Sequence, residues 1–275
     1  MGKLKKDERQ ARILGELRAS PAIRISALAS DFGVSTETIR RDLDELSQQG
    51  MLSRTYGGAA ARPLGAEPTL SERYKEHVEE RERVGTFAAR GIKPGQVLMI
   101  DSGSTTLHFA RRLSAELREL TAITNSCAIA AVLAANPTIR VVLCPGRYDS
   151  REGSVFGSDS ENFLLRFNAN LTVISCSGLT AEGPNDVNPA AAGIKRAMLA
   201  RAESNMLLVD HSKFGVLALE NVCGLNAIRL IVADRPPAGD LARAVRRAGI
   251  GLEIAGPAET PGGPGLRRPG SRSGS

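Results

Sequence analysis

The run Ser-Thr-Glu-Thr-Ile-Arg-Arg from Ser35 to Arg41 sets three hydroxyls, one carboxylate and two guanidinium groups within seven residues. On the first turns of a helix, groups of these types suit a DNA duplex. Arg40 and Arg41 can reach guanine edges or phosphates, and Thr36 and Thr38 suit phosphates or thymine methyls. Asp42, Asp44 and Glu45 follow at once, and phosphates repel them. A helix entering a major groove end-on resolves the conflict, because only its N-terminal half reads bases while its far end leaves the duplex. On a wheel advancing about 100° per residue, Leu43 and Leu46 lie within about 40° of Ile39, so these three form the buried face. Glu37, Arg41, Asp44 and Gln48 then point away from it, with Arg40 and Thr38 on the flanks. Ser35 is placed to cap the helix, an effect of about 1 kcal/mol.

A second set of candidates lies at the ends of apolar runs. Asp101, Ser102, Gly103, Ser104, Thr105 and Thr106 follow "VLMI" and precede a helical pattern, so their backbone N–H groups and the helix dipole offer an anion cradle. Any tight strand-to-helix turn also needs small residues, so this loop alone leaves both readings open. Thr124 and Asn125, the segment 176–183 and the segment 208–215 end apolar runs in the same way. In an open parallel sheet ligands bind at the carboxyl ends of strands, and four such loops together point to a small-molecule pocket. Lys195 and Lys213 are the natural partners for a phosphate, Lys213 the better because it follows a buried run, whereas Lys195 sits beside Arg196 on a helix that solvent could cover. Asp101 and Asp210 suit sugar hydroxyls or helix capping equally. His211 reads as a local hydrogen-bonding residue.

The elements that must position these groups can be read from periodicity. Residues 7 to about 58 form a helical unit: Ile13, Leu14 and Leu17 make one stripe, and Leu28, Ala29 and Phe32 another. Gly33, Val34 and Ser35 supply the turn of a helix-turn-helix. The segment "GMLSRTYGGA" offers a short strand, an arginine, an aromatic and two glycines, as a wing beside a minor groove would, with Arg54 as its phosphate or groove contact. Pro63, Gly65 and Pro68 mark a linker, and residues 72–92 read as one amphipathic helix. From Gln96 onward short Val/Ile/Leu runs at 97–101, 121–125, 140–144, 171–176, 206–210 and 229–234 alternate with helical patterns near 105–118, 126–135, 158–167, 190–203 and 239–248. That alternation predicts an α/β fold with a largely parallel sheet covered by helices. The expected division is 1–60 for the winged unit, 61–75 for the linker, 76–255 for the α/β unit and 256–275 for a disordered tail rich in Gly, Pro, Ser and Arg.

The whole chain bounds these readings. Its 275 residues allow roughly two domains, and 36 Lys+Arg against 30 Asp+Glu give a net charge of +6, which tolerates a polyanion without proving one. The four cysteines are far apart and lack Cys-x-x-Cys spacing, so they read as reduced thiols; neither a metal site nor a cofactor is expected. No apolar signal region opens the chain and no apolar run could span a bilayer, so a soluble cytoplasmic protein without a membrane partner is expected.

The segment "LASDFGVSTETIRRDLDELSQQGMLSRTYGGA" closely resembles the N-terminal domain of DeoR-type bacterial repressors, winged helix-turn-helix proteins that regulate sugar catabolism genes. The resemblance continues more loosely to about residue 234. It implies that Ser35, Thr36, Thr38, Arg40 and Arg41 lie on the recognition helix, with Glu37 among them, and that Tyr56 stands on the wing where many members carry His. It further implies a sensor domain similar to ribose-5-phosphate isomerase, a double-stranded operator and a phosphorylated sugar as effector. The matching effector segments hold Asp101, Gly103, Ser104 and Thr105, then Thr124 and Asn125, then Gly178, Glu182 and Gly183, then Lys195, Asp210 and Lys213. Ala191 replaces a usual Glu, and Pro145 replaces the first Gly of a usual pair. A sugar-phosphate isomerase with a DNA-binding appendage is the competing expectation, but Ala191 removes one candidate carboxylate and leaves Glu182 and Asp186 without a partner arrangement. Reading a palindrome demands at least a dimer, so a homo-oligomer, dimer or tetramer, is expected. Truncation after Ala255 should leave the melting temperature and DNA affinity unchanged; a clear loss of either in a melting curve or a band-shift titration would show the tail to be docked.

Overall fold

The computed structural model describes residues 4–48, 52–61 and 67–256. The expected linker residues Pro63 and Gly65, and the expected tail from residue 257, lie outside the described residues. Helix α1 (Lys6–Ala19), strand β1 (Ala22–Arg24), helices α2 (Ile25–Phe32) and α3 (Thr36–Gln48) and strands β2 (Leu52–Thr55) and β3 (Gly58–Ala61) share one core. Ile39, Leu43 and Leu46 are buried in it, beside Ile13, Leu17, Leu28 and Phe32. Gly33, at φ 62°, ends α2 in the left-handed region, where glycine carries no Cβ penalty. The Thr38 N–H then donates to Ser35 Oγ at 3.2 Å, the expected cap. After α3 the chain forms a hairpin, and β1 joins it in an antiparallel sheet of order β1-β3-β2. Three residues are too few for β1 to show a period.

The acids in the later turns of α3 find partners within the unit itself. Asp42 is buried and takes two hydrogen bonds from Arg9, one of them from Nη2 at 2.9 Å. Glu45 accepts from Lys6 and Gln10 at 2.7 and 2.8 Å, and Asp44 pairs with Arg54 of β2 at 3.1 Å. These carboxylates fasten α1 and the hairpin to the back of α3.

Residues 72–92 are not one helix. A short helix α4 (Leu70–Arg73), started by a capping box between Thr69 and Glu72, is separated from α5 (Val78–Ala89) by His77, whose φ is 50°. The break coincides with a buried guanidinium contact. Arg81 is fully buried, donates from Nε to Asp210 Oδ2 at 2.9 Å and also donates to the Arg73 carbonyl. An unbroken helix would hold residues 73 and 81 about 12 Å apart along its axis; the kink folds that carbonyl back onto the guanidinium. Periodicity carries no trace of this.

The larger unit continues with β4 (Val97–Ile100), α6 (Ser104–Glu116), β5 (Thr121–Thr124), α7 (Cys127–Ala134), β6 (Arg140–Leu143), β7 (Arg147–Asp149), β8 (Ser154–Phe156), α8 (Ser158–Leu164), β9 (Ala169–Ile174), β10 (Gly178–Thr180), β11 (Gly183–Asp186), α9 (Pro189–Leu199), β12 (Ala202–Val209), β13 (Glu220–Asn221), β14 (Leu230–Ala233), α10 (Gly239–Arg247) and β15 (Gly251–Ile254). Seven of these strands form a parallel sheet of order β15-β14-β12-β9-β4-β5-β6. Alternate residues feed opposite faces: Leu98 and Ile100 join Phe109, Leu113 and Ile129, while Met99 and Ile123 join Ile194 and Met198. Because both faces are covered, the strands read as unbroken apolar runs. Edge strand β15 escaped the sequence reading, since its residues are alternately exposed. From β4 the chain builds outward through β5 and β6, then returns to β9 and builds the other way, so order reverses between β4 and β9. That reversal is where an α/β sheet opens a crevice.

Burial raises the Asp210 carboxyl, but Arg81 and then Lys213 outweigh it and lower it to about 2 from its usual 3.8. A depressed carboxylate stabilises the fold above its unfolded value, so this contribution, on the order of 2 kcal/mol, is complete above about pH 4 and lost as pH falls toward 2. Asp210→Asn leaves Arg81 buried and unpaired and should lower stability at pH 7 by about 3 to 5 kcal/mol, read by urea denaturation.

Candidate functional site

Two surfaces collect the candidate residues. On the N-terminal unit Ser35, Thr36, Glu37, Arg40 and Arg41 are exposed and Thr38 is half-buried. Glu37 pairs with Arg40 at 3.6 Å and with Arg41 at 3.5 Å; exposed pairs of this kind are worth at most about 1 kcal/mol, so both arginines remain available to a stronger anion. Tyr56 is fully exposed at the hairpin tip, an expensive position for an aromatic that meets nothing. Arg54 is anchored rather than free: beyond its pair with Asp44 it donates to the Gly58 carbonyl at 3.2 Å, which holds the hairpin against α3.

The second surface is the crevice between β4 and β9. The loop Ser102–Thr105 forms one wall, Ser175–Ser177 a second, and Asp186–Asn188 with Ala191 and Lys195 a third. A Cβ on Gly103 would lie 2.2 Å from Ser175 Oγ, so a side chain there would have to push the Ser175 hydroxyl aside. Helix α6 begins here, and its first backbone hydrogen bond is Leu107 N–H to Gly103 at 3.0 Å. The N–H groups of Ser104 and Thr105 therefore precede the helical ladder and face the crevice end of the dipole.

Not every candidate enters the pocket. Asp101 lies beneath it, taking the Ser175 N–H at 3.2 Å and the Lys195 ammonium at 3.0 Å. Thr106 is spent on the Asp101 carbonyl at 2.9 Å. Asn125 supports the loop from behind, accepting the Ser102 N–H at 3.1 Å and donating to the Val155 carbonyl at 3.1 Å, and buried Thr124 accepts the Ser126 N–H. Gly178 is a packing position, since a Cβ there would meet the Val216 carbonyl at 2.1 Å. Glu182 sits exposed at the turn between β10 and β11. Asp210 faces Arg81, away from the crevice. Pro145 is not in the lining; its carbonyl accepts from Ser160.

Lys195 is not solvated. Its ammonium is 3.0 Å from Asp101 and 2.9 Å from Asp186, which gives Asp186 the partner the sequence did not show. Burial pulls the ammonium down, but the two carboxylates outweigh it and the net shift is upward. Burial raises Asp101, and Lys195 and Ser175 only partly offset that. Sequence reading also missed Glu67, Arg73 and Glu152. Glu67 accepts from Lys213 at 2.6 Å, from Arg73 at 2.9 Å and from Ser177 at 2.8 Å, while Arg73 also pairs with Glu152 at 2.7 Å. Arginine and glutamate in a polar linker carry no periodic signal, so nothing local marked them. Elsewhere Glu80, His211 and Asp234 bring ligand-type atoms within 4.8 Å of one another, yet Asp234 is already shared by His211 at 2.7 Å and Arg235 at 3.1 Å.

Replacing Lys195 by Met would leave two carboxylates facing each other in a dry site. The variant should lose about 3 to 5 kcal/mol at pH 7, and the deficit should shrink as pH falls toward 4, because a carboxyl with a raised pKa regains its proton there. Urea titrations at both pH values check the sign.

A profile described as the DeoR-like helix-turn-helix domain matches residues 9–62, and one described as the DeoR C-terminal sensor domain matches residues 76–235. The glycerol-3-phosphate regulon repressor of Escherichia coli K12 is 29% identical over 252 residues, covering 91% of this chain and all of the relative. The transcriptional regulator GolR of Listeria innocua is 30% identical over 250 residues, covering 90% and 98%. Among solved structures, a D-ribose-5-phosphate isomerase in complex with phospho-erythronic acid superposes on half of the chain (50%, and 54% of its own length) with a TM-score of 0.37 and 16% identity. No helix of the described residues is long and apolar enough to cross a membrane. With the two profiles falling on the winged unit and on the parallel-sheet unit, the chain belongs to the DeoR family of transcriptional regulators.

Proposed function

We propose that the protein is a repressor of sugar catabolism genes that binds a double-stranded operator through α3 and the β2–β3 hairpin and leaves it when a phosphorylated sugar or related metabolite enters the crevice between β4 and β9. The observation that carries the reading is the pairing of two features in one chain. Reader residues Thr36, Arg40 and Arg41 stand exposed on a capped helix, and an anion-type crevice with Ser104 and Thr105 at a helix start lies at the reversal point of the sheet. The regulon repressor from E. coli, whose name carries a phosphorylated triol, supports the ligand class.

The isomerase alternative is the weaker one. Proton transfer needs a group free to act as base, and the carboxylates at the pocket are engaged, Asp101 and Asp186 by Lys195 and Glu67 and Glu152 by Arg73 and Lys213, while Glu182 stands outside it. Palindromic operators favour a homodimer or a higher oligomer. DNA selected from random sequence, repeated with a panel of sugar phosphates, tests the reading; failure to enrich any sequence would overturn it. Arg41→Ala should weaken specific binding by about 1 to 3 kcal/mol if the guanidinium reads a base, whereas Arg54→Ala should weaken binding to all sequences and flatten the salt dependence. Unchanged affinity and sequence preference for Arg41→Ala in a band-shift titration would remove it from the reading face.

A further inference from the structure

We infer that Glu67 is a built-in occupant of the anion site, a carboxylate supplied by the chain itself that an incoming phosphate must displace; this rests on the effector reading given above. The Glu67 carboxylate lines the same pocket as the loop Ser102–Thr105. One oxygen takes the Lys213 ammonium at 2.6 Å, the other takes Arg73 at 2.9 Å and the Ser177 hydroxyl at 2.8 Å, and the side chain is 9% exposed. Three donors from three separate parts of the chain converge on one carboxylate, which is how a receptor for an anion is built.

Space and charge agree with displacement rather than with simultaneous binding. With Glu67 in place the cavity over the crevice measures about 30 Å³, room for one water, whereas ligand pockets start near 300 Å³. The pocket's cations, Arg73, Lys195 and Lys213, are all paired with carboxylates, namely Glu67, Glu152, Asp101 and Asp186. A dianion added to that set would meet an excess of negative charge. With Glu67 withdrawn, Lys213 and one edge of Arg73 would lose their carboxylate in the same pocket that Ser104 and Thr105 line.

Position in the chain gives the displacement a consequence. Only residues 62–66 separate Glu67 from the end of β3, the strand that completes the hairpin beside α3. Arg73, Ser177 and Lys213 also line a cleft of about 680 Å³ whose opposite wall is Ser47, Leu52, Ser53 and Arg54 of the winged unit. The three groups that hold Glu67 are thus shared by the crevice and by the space between the units. Release of Glu67 would free the tether at the point where the winged unit meets the sensor.

Calorimetric titration of the full chain with inorganic phosphate at low ionic strength tests this. Glu67→Gln keeps the shape and removes the charge, and it should bind phosphate at least tenfold more tightly than wild type. Adding Lys213→Met to Glu67→Gln should erase the gain. Glu67→Asp, which keeps the charge but shortens the reach, should move affinity the same way by less, and it serves if the glutamine variant fails to fold. Equal or weaker phosphate binding in Glu67→Gln, or a gain that survives loss of Lys213, overturns the inference. A sugar phosphate that binds wild type and Glu67→Gln equally leaves the effector site standing and removes Glu67 as its rival. If neither phosphate nor any sugar phosphate of the panel binds either protein, the effector reading falls as well.

Discussion

One buried ammonium organises the sensor unit. Lys195 projects from α9 to meet Asp101 at the end of β4 and Asp186 at the end of β11, so a single charge joins an inner strand of the parallel sheet, the small antiparallel sheet and a helix covering one face. A buried ion set of this kind adds little net stability, because desolvation offsets most of the attraction. Its effect is to define geometry: with Asp101 drawn down onto Lys195 and Ser175, the loop that follows must turn upward, and the start of α6 opens into the crevice. The apolar layers on either side, Leu98 and Ile100 above and Met99 below, would tolerate other arrangements of that loop. The ion set would not.

The winged unit uses the same device at a smaller scale. Asp42 with Arg9, Glu45 with Lys6 and Gln10, and Asp44 with Arg54 tie α3 to its neighbours from the side away from its exposed N-terminal turns. The mixed composition of this helix follows. Asp42, Asp44 and Glu45 are engaged by α1 and the hairpin, whereas Thr36, Arg40 and Arg41 stay exposed. An anchored Arg54 also presents its guanidinium at a fixed place, which would reduce the entropy lost in the proposed phosphate contact.

What the sequence disclosed and what it hid divide along physical lines. Periodicity reports apolar faces, so the six strands, the covering helices and the stripe Ile39, Leu43, Leu46 were legible, with bounds off by as much as four residues at the start of β12 and the end of α9. Turn chemistry reports backbone need, so Gly33 and Ser35 were legible. Pairing of charges across long sequence separations has no local signature. Arg9 with Asp42, Arg81 with Asp210, and Glu67 with Lys213 join residues 33, 129 and 146 positions apart, and each was invisible. The kink at His77, across which Arg81 reaches the Arg73 carbonyl, was missed for the same reason. The resemblance to a family located the segments that line the crevice, but it could not separate Ser104 and Thr105, which face it, from Gly178, which packs against Val216.

An internal carboxylate in an anion site also bears on how a sensor of this design could couple its two units. A ligand shifts a two-state equilibrium only by its difference in affinity for the two states, and a nearly complete shift needs about 10⁴-fold, roughly 5.5 kcal/mol. A pocket that stood open in both states would bind the effector equally in each and shift nothing. A pocket filled by the tether in one state makes the difference large by construction, because the effector and Glu67 exclude each other. In the proposed complex, contacts of the effector with the N–H groups of Ser104 and Thr105, which Glu67 leaves unused, would be charge-assisted hydrogen bonds worth roughly 1.5 to 3 kcal/mol each. Two of them approach the required difference. Part of the gross binding energy is consumed in breaking the contacts of Glu67 with Lys213, Arg73 and Ser177, so apparent affinity falls by the fraction of time the pocket is closed. By linkage the same factor must appear in reverse, with any conformation of the winged unit that keeps Glu67 seated disfavouring the effector to the extent that the effector disfavours it.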